Sequence, residues 1–441
     1  MTVVAGLPGA EAFAAFYSRF VDAIRAGGLR TSAEPLAEDL LSFARACAIA
    51  WPAGLADPGT DRAQVGSLRS VLEPWLMSAE AAYQQWAWSP AASEWIRTVM
   101  ASWQGTLPLS AGPTTAAAGW RDAIRGWGLP ADSLPRTEIE TDGAARLYHY
   151  RAMRVTRSTP VLIVYALVNR PSILDLEPGR SLIGGLVEAG RDVYLLDWGD
   201  PTEADHGRSL DDFVLGTLAR AVTAIGRGRP IDLLGVCQGG VLSLLYTASQ
   251  PSRVRRLVTM VTPVDFHTGE DLLSHWVRSL ERSAAAEPQR MPGFMLDAVF
   301  QSLAPFRIGM GKVIDLLDHI HDEPWVRLFR RMAQWVHDGP DQPARFAATF
   351  SSLFYQQNCL VGGPFEFGGA RVDLRQIRSP LLNIYGLQDH IVPPASSRAL
   401  AGLTQSKRYT EIAVPTGHIG MFVSSRAAEL PRQIAGWLAR R

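Results

Sequence analysis

Nine consecutive residues, PVLIVYALV (160–168), offer no charged face to water. A strand built from them has to be covered on both sides, which is the habit of parallel sheets flanked by helices. The same signature returns in RDVYLLDW (191–198), PIDLLGV (230–236), RRLVTMV (255–261), PLLNIYG (380–386) and YTEIAV (409–414). Helical patterns lie between these runs. One begins at Ser209 with Asp212 three residues on, a capping-box arrangement, and places Val214, Leu218, Val222 and Ile225 on one face. Strands alternating with helices predict an α/β fold with a mostly parallel sheet and right-handed crossovers. The rhythm breaks over about 267–372, where no strong strand is evident and pieces such as LFRRMAQWVHD (328–338) are helical. That stretch is expected to be a mostly helical cap or lid inserted into the sheet domain.

The chain changes character around GTLPLSAGPTTAAAG (105–119), which has no periodicity and reads as a linker. Residues 1–104 before it are predicted to be all-α, and 120–441 after it to be the α/β domain. In the first region Phe13, Phe16, Phe20, Val21 and Ile24 repeat at helical spacing, and Leu40–Ala48 suits a second helix. A third runs through Leu72, Leu76, Ala79, Tyr83 and Trp86. Ser89 then caps a fourth, with Pro90 in its first turn and Trp95, Val99 and Trp103 on one stripe. Residues 1–110 hold six of the 13 tryptophans and carry a net charge of −3. Those aromatics suit either the core of a helical hairpin or an aromatic docking surface.

Over the 441 residues, 43 basic and 43 acidic side chains cancel, so no net field draws the chain to nucleic acid or anionic lipid. The longest apolar run, Val161–Val168, falls far short of the roughly 18 residues a membrane span would need. Three scattered cysteines (Cys47, Cys237, Cys359) make neither a disulfide framework nor a zinc cluster, and suit a reducing cytoplasm. The N-terminus lacks the basic n-region of a signal peptide. No histidine spacing suggests a metal, and no Walker or G-x-G-x-x-G loop suggests a nucleotide cofactor.

Chemistry concentrates at Gly235-Val236-Cys237-Gln238-Gly239-Gly240, directly after one strand run and before the apolar segment VLSLLYTA. This is the strand–turn–helix context of a nucleophile elbow, with cysteine where serine is usual. A strained turn and a tight strand–helix approach both call for residues without Cβ, hence Gly235, Gly239 and Gly240. Alone, such a turn also suits a cysteine that merely packs. Asp389, in LQDHIVPP after the strand PLLNIYG, and His418, in PTGHIGMF after YTEIAV, change the balance. The order Cys237, Asp389, His418 is nucleophile, acid, base, each at the carboxyl end of a predicted strand, where open α/β sheets bind ligands. The oxyanion hole is expected to use the backbone N–H of Gln238 and one from the loop after PVLIVYALV, at Val168. His390 and Asp265 also follow strands and read as structural.

At these residues a family becomes recognisable. LIVYALVNRPSILDLEPGRSLIGGL, DVYLLDWGDP, LLGVCQGG, LVTMVTPVDF, LLSHW, LQDHIVPP and GHIGMFVS follow one another in the order of the polyhydroxyalkanoate synthases, and about residues 135–441 resemble their class III catalytic subunit. The resemblance implies an α/β-hydrolase fold and a triad of Cys237, His418 and Asp389. It also implies (R)-3-hydroxyacyl-CoA substrates, with CoA released at each step and no cofactor, and a homodimer at the surface of cytoplasmic polyester granules. LEPWLMSAEAAYQQWAWSPAASEWIRTVMASWQ, within the extra N-terminal region, resembles part of that family's separate non-catalytic subunit, which such catalytic chains otherwise require as a partner. On this reading Cys237 forms an acyl-enzyme, and Asp389, with His418, activates the 3-hydroxyl of the next unit, either directly or by orienting His418. Two other readings stay open: a thioesterase or polyester hydrolase on the same fold, and a non-catalytic granule-coating protein.

Overall fold

The computed structural model describes residues 68–94, 97, 134–151, 159–280 and 290–440. The helices expected around Phe13–Ile24 and Leu40–Ala48, the Trp95–Trp103 stripe, the 105–119 linker and Cys47 lie outside the described residues. Those that are described fall into two compact units. One joins the residues before Leu129 to Ala298–Asp338; the other joins those between Pro130 and Asp297 to those between Gly339 and Arg441. The division thus takes 298–338 out of the expected 267–372 insertion and groups it with the N-terminal helix.

The larger unit is built on an eight-stranded sheet. Its strands are β1 (Thr137–Asp142), β2 (Ala145–Tyr150), β3 (Val161–Val164), β4 (Val193–Asp197), β5 (Ile231–Val236), β6 (Val254–Met260), β7 (Leu381–Gly386) and β8 (Tyr409–Val414). They lie side by side in the order β1-β2-β4-β3-β5-β6-β7-β8. β2 runs antiparallel to both β1 and β4; every other pair is parallel. All six strands read from the apolar runs are present. The β1–β2 hairpin escapes that reading because TEIETD is charged and almost wholly exposed, with no buried face to set a pattern. Only its tight turn, with Gly143 at φ +60°, leaves a trace in the sequence.

Every residue of β3, β5 and β7 is buried, as strands covered on both faces must be. Helix Gln238–Ser249 is also buried on nearly all sides, which explains why its sequence is apolar around the whole circumference. The Ser209–Asp212 box forms as expected: the Asp212 carboxylate accepts from the Ser209 N–H at 2.7 Å, and the Ser209 hydroxyl accepts from the Asp212 N–H at 3.4 Å. The helix it opens starts as a π-helical turn, Asp212–Leu218, and continues as Ala219–Gly226.

The smaller unit is helical among its described residues. α1 (Leu68–Ala87) buries Leu72, Leu76, Ala79 and Tyr83 of the stripe expected from spacing, while Trp86, its last member, is only partly buried. Ser89 accepts from the Ala92 N–H at 3.3 Å and so caps the next helical turn, also as expected. The 328–338 pattern is realised as helix Glu323–Val336. No helix among the described residues is long and apolar enough to cross a membrane.

Candidate active site

The strand order reverses at β3: the chain leaves β3 for β4 on one side, then returns to add β5 on the other. Open α/β sheets form ligand crevices at such a switch point, beyond the carboxyl ends of the strands. Two loops meet there, Tyr165–Arg170 after β3 and the turn at Cys237 after β5. Cys237 has φ +53°, ψ −125°, a conformation costly for any residue with a Cβ. The turn is held in it from both ends. The Cys237 N–H donates to the Met260 carbonyl at 2.9 Å, and the Cys237 carbonyl accepts from the Gly240 N–H at 2.9 Å.

The glycines around it answer to close approach. A Cβ on Gly239 would land on the carbonyls of Val164 and Tyr165, and one on Gly240 would strike the Thr262 side chain. A Cβ on Gly235 would meet Gly240 Cα at 2.5 Å. The helix that follows can therefore sit directly on β3 and β5, with Cys237 at its N-cap and Gln238 as its first residue. The leading N–H groups of a helix have no acceptor within it, and its dipole favours negative charge at that end.

β7 and β8 pair in register, Gly386 opposite Val414, so the loops beyond them start from one level. Asp389 and His418 lie in those loops, both buried. His418 Nδ1 and Asp389 Oδ2 are 2.7 Å apart. The other carboxylate oxygen, Oδ1, accepts from the N–H groups of Ile391 and Val392, each at 2.9 Å. Cys237 lies near enough for its charge to act on the imidazole. Burial alone would lower the imidazole pKa, but the charges of Asp389 and Cys237 and the hydrogen bond to Asp389 outweigh it and push it up to about 10. The three residues singled out in the sequence thus come together around His418.

Gln238 has a second contact. Its side-chain Oε1 accepts from the Leu167 N–H at 2.9 Å, in a buried bond. This ties the helix N-terminus to the β3 loop and leaves the next residue, Val168, in the turn that the oxyanion reading requires. Gly339 faces that turn from another segment, where an added Cβ would sit 3.4 Å from the Val168 carbonyl.

Some neighbours of the site were not singled out in the sequence. The Tyr165 phenol is held well above its ordinary pKa by burial and by the charge on Cys237. Tyr355 is shifted the same way by burial, Asp271 and Cys237. Two other aromatics of the 267–372 stretch, Trp276 and Phe354, are buried, Phe354 within the main core. Asp271 is a buried carboxyl whose pKa is raised chiefly by desolvation, partly offset by hydrogen bonds from Ser274, with Asp389 adding to the rise. It also serves as the N-cap of helix Leu272–Ser279. Asp265 is structural, accepting from the His267 N–H and from Asn358 Nδ2, both at 2.8 Å. Cys237 and Cys359 are free thiols, and no cluster of His, Cys, Asp and Glu suited to a metal occurs among the described residues.

This sheet order and this elbow define an α/β-hydrolase, and the family described as alpha/beta hydrolase fold matches residues 159–425. Three curated proteins narrow the class. The chain is 44% identical over 315 residues to the poly(3-hydroxyalkanoate) polymerase subunit PhaC of Allochromatium vinosum, covering 70% of this chain and 89% of that one. It is 41% identical over 325 residues to the PhaC subunit of Thiocystis violacea, covering 71% and 92%. With the PhaC subunit of a Synechocystis strain it shares 42% over 320 residues, covering 70% and 85%. The chain belongs to the PhaC family of poly(3-hydroxyalkanoate) polymerase subunits.

Proposed function

We propose that the chain polymerises (R)-3-hydroxyacyl-CoA into polyester through a covalent acyl-cysteine. The observation that carries the reading is His418 bonded to Asp389 with Cys237 close beside it, in a chain 44% identical to a poly(3-hydroxyalkanoate) polymerase subunit. The Cys237 thiolate attacks the thioester carbonyl, and the Sγ–C bond forms. The developing oxyanion is received by the N–H groups of Gln238 and Val168. The C–S bond to CoA then breaks, and the CoA sulfur takes the proton held on His418. In the second half the 3-hydroxyl of the next unit or chain end gives its proton to neutral His418 and attacks the acyl-cysteine. The new ester forms and Cys237 leaves as thiolate, restoring the imidazolium–thiolate pair. Cysteine suits this exchange because a thiolate is both a strong nucleophile and a good leaving group.

Asp389 is best assigned to orientation. One oxygen holds His418 Nδ1 and the other is occupied by two backbone N–H groups, an arrangement that fixes the imidazole's tautomer and supports its charge. Family membership supports the rest of the reading: no added cofactor, a homodimer, and action at the surface of cytoplasmic polyester granules. Incubating the full chain with 3-hydroxybutyryl-CoA tests the proposal, following CoA and polymer together. Polymer is expected in step with CoA. Release of CoA with soluble 3-hydroxybutyrate and no polymer would make the chain a thioesterase instead.

A further inference from the structure

In the smaller unit two segments far apart in sequence complete each other's helix ends. α1 packs on the helical turn Pro305–Met310 and on α3, with α2 and α3 denoting Gln238–Ser249 and Gly311–Asp318. Isolated helices leave their first N–H and last C=O groups without partners. Here those partners come from the opposite segment. The Glu80 carboxylate accepts from the N–H groups of Phe306 and Arg307, at 3.1 and 2.9 Å, where the 305–310 turn begins. The carbonyls of Ser302 and Leu303, at the close of helix Gly293–Ser302, accept from the Tyr83 hydroxyl at 2.6 Å and from Gln84 Nε2 at 2.7 Å. In return Asp318, the last residue of α3, accepts from the Arg69 N–H at the start of α1 at 2.8 Å.

Glu80, Tyr83 and Gln84 stand three and four apart and so fall on one edge of α1. Leu72, Leu76, Ala79 and Tyr83 form the apolar stripe beside that edge, while Met77 on the far side is 60% exposed. One helix face thus supplies the apolar cover and also the three polar groups that the break between two helices at 302–306 needs. Residues 302–318 form a socket for a helix of this pattern.

We propose that 302–318 is a docking surface whose occupant is this chain's own α1, and that an α1 helix supplied in trans can take its place. α1 has no strand ladder holding it, so its side chains are what hold it, and contacts of that kind are exchangeable. Docked, it orders the 302–310 break; undocked, it leaves two carbonyls and two N–H groups there to solvent.

The test uses the full chain carrying Glu80→Ala, Tyr83→Phe and Gln84→Ala, which removes the polar contacts and keeps helix-compatible residues. Hydrogen exchange at the Phe306 and Arg307 amides is expected to rise about tenfold or more, given the strength of bonds to a charged acceptor. A synthetic peptide of residues 68–94 is expected to restore protection saturably, and the same peptide bearing the three substitutions is not. Unchanged exchange in the variant would overturn the proposal. So would failure of the wild-type peptide to restore it, which would make the contact ordinary intramolecular packing. Glu80→Gln guards against global unfolding: it is expected to raise exchange at those two amides while circular dichroism stays unchanged, and uniform exchange would again overturn it. These readouts do not involve the reaction, so their failure would leave the polymerase reading standing.

Discussion

The two units hold their backbones in opposite ways. In the sheet unit each reacting residue sits within a few positions of the end of a strand, Cys237 and Asp389 after strands paired on both sides and His418 after the edge strand β8. In the helical unit the critical groups are ends of helices, satisfied by three or four side chains from a segment more than 200 residues away. The first arrangement is over-determined and suits chemistry, which tolerates little displacement. The second rests on a few contacts whose loss need not disturb anything else.

If that contrast is right, substitutions in the sheet unit should be all-or-none, and those in the helical unit graded. Cys237→Ala should fold normally and lose CoA release by a factor on the order of 10⁴ or more, measured by thiol detection; substantial activity would remove Cys237 from the mechanism. Asp389→Asn should lower first-acyl transfer and chain elongation alike, on the order of 10² to 10⁴, in single-turnover and polymer assays. An unequal loss would show Asp389 acting on the 3-hydroxyl itself. In the helical unit Leu76→Ala should cost about 2–5 kcal/mol of local stability as a cavity. Hydrogen exchange should confine that loss to α1 and 302–318, with CoA release changed far less than in Cys237→Ala.

Smaller but sharper is a titration. The folded pKa of His418 is raised to about 10, above its unfolded value of about 6.5. Its stabilising contribution is therefore complete below pH ~6.5 and is lost as pH rises through about 10. Unfolding curves of His418→Ala should lack that decline. In Cys237→Ala the imidazole, followed by NMR, should titrate at lower pH, because one of the charges holding its proton is gone. An unshifted titration would show that the thiolate does not pair with it.

What could be read from the sequence follows the same division. Of the six strands, β3, β5 and β7 announced themselves through full burial and β4 and β6 through nearly full burial, while edge strand β8 kept only part of that apolar signature. Cys237, Asp389 and His418 were legible because each follows such a strand. The Gln238–Leu167 bond was not, since a glutamine after a nucleophile has no pattern that reveals which loop it reaches. Nor was the nearness of Asp271 to Asp389, which depends on how a loop folds back. Spacing gave the α1 stripe, but nothing in it named 302–318 as the surface beneath. Long-range pairing of helix ends leaves no periodicity behind.

Gln238, whose N–H is assigned to one half of the oxyanion hole, also grips, through its amide oxygen, the loop that carries the other half. Two donors joined by such a strut have one mechanical degree of freedom between them where independent loops would have two. Evolution or an engineer seeking to retune the pair cannot adjust one side in isolation: a shortened side chain at 238 loosens both. The replacements that would keep the strut are side chains that reach as far and end in an acceptor.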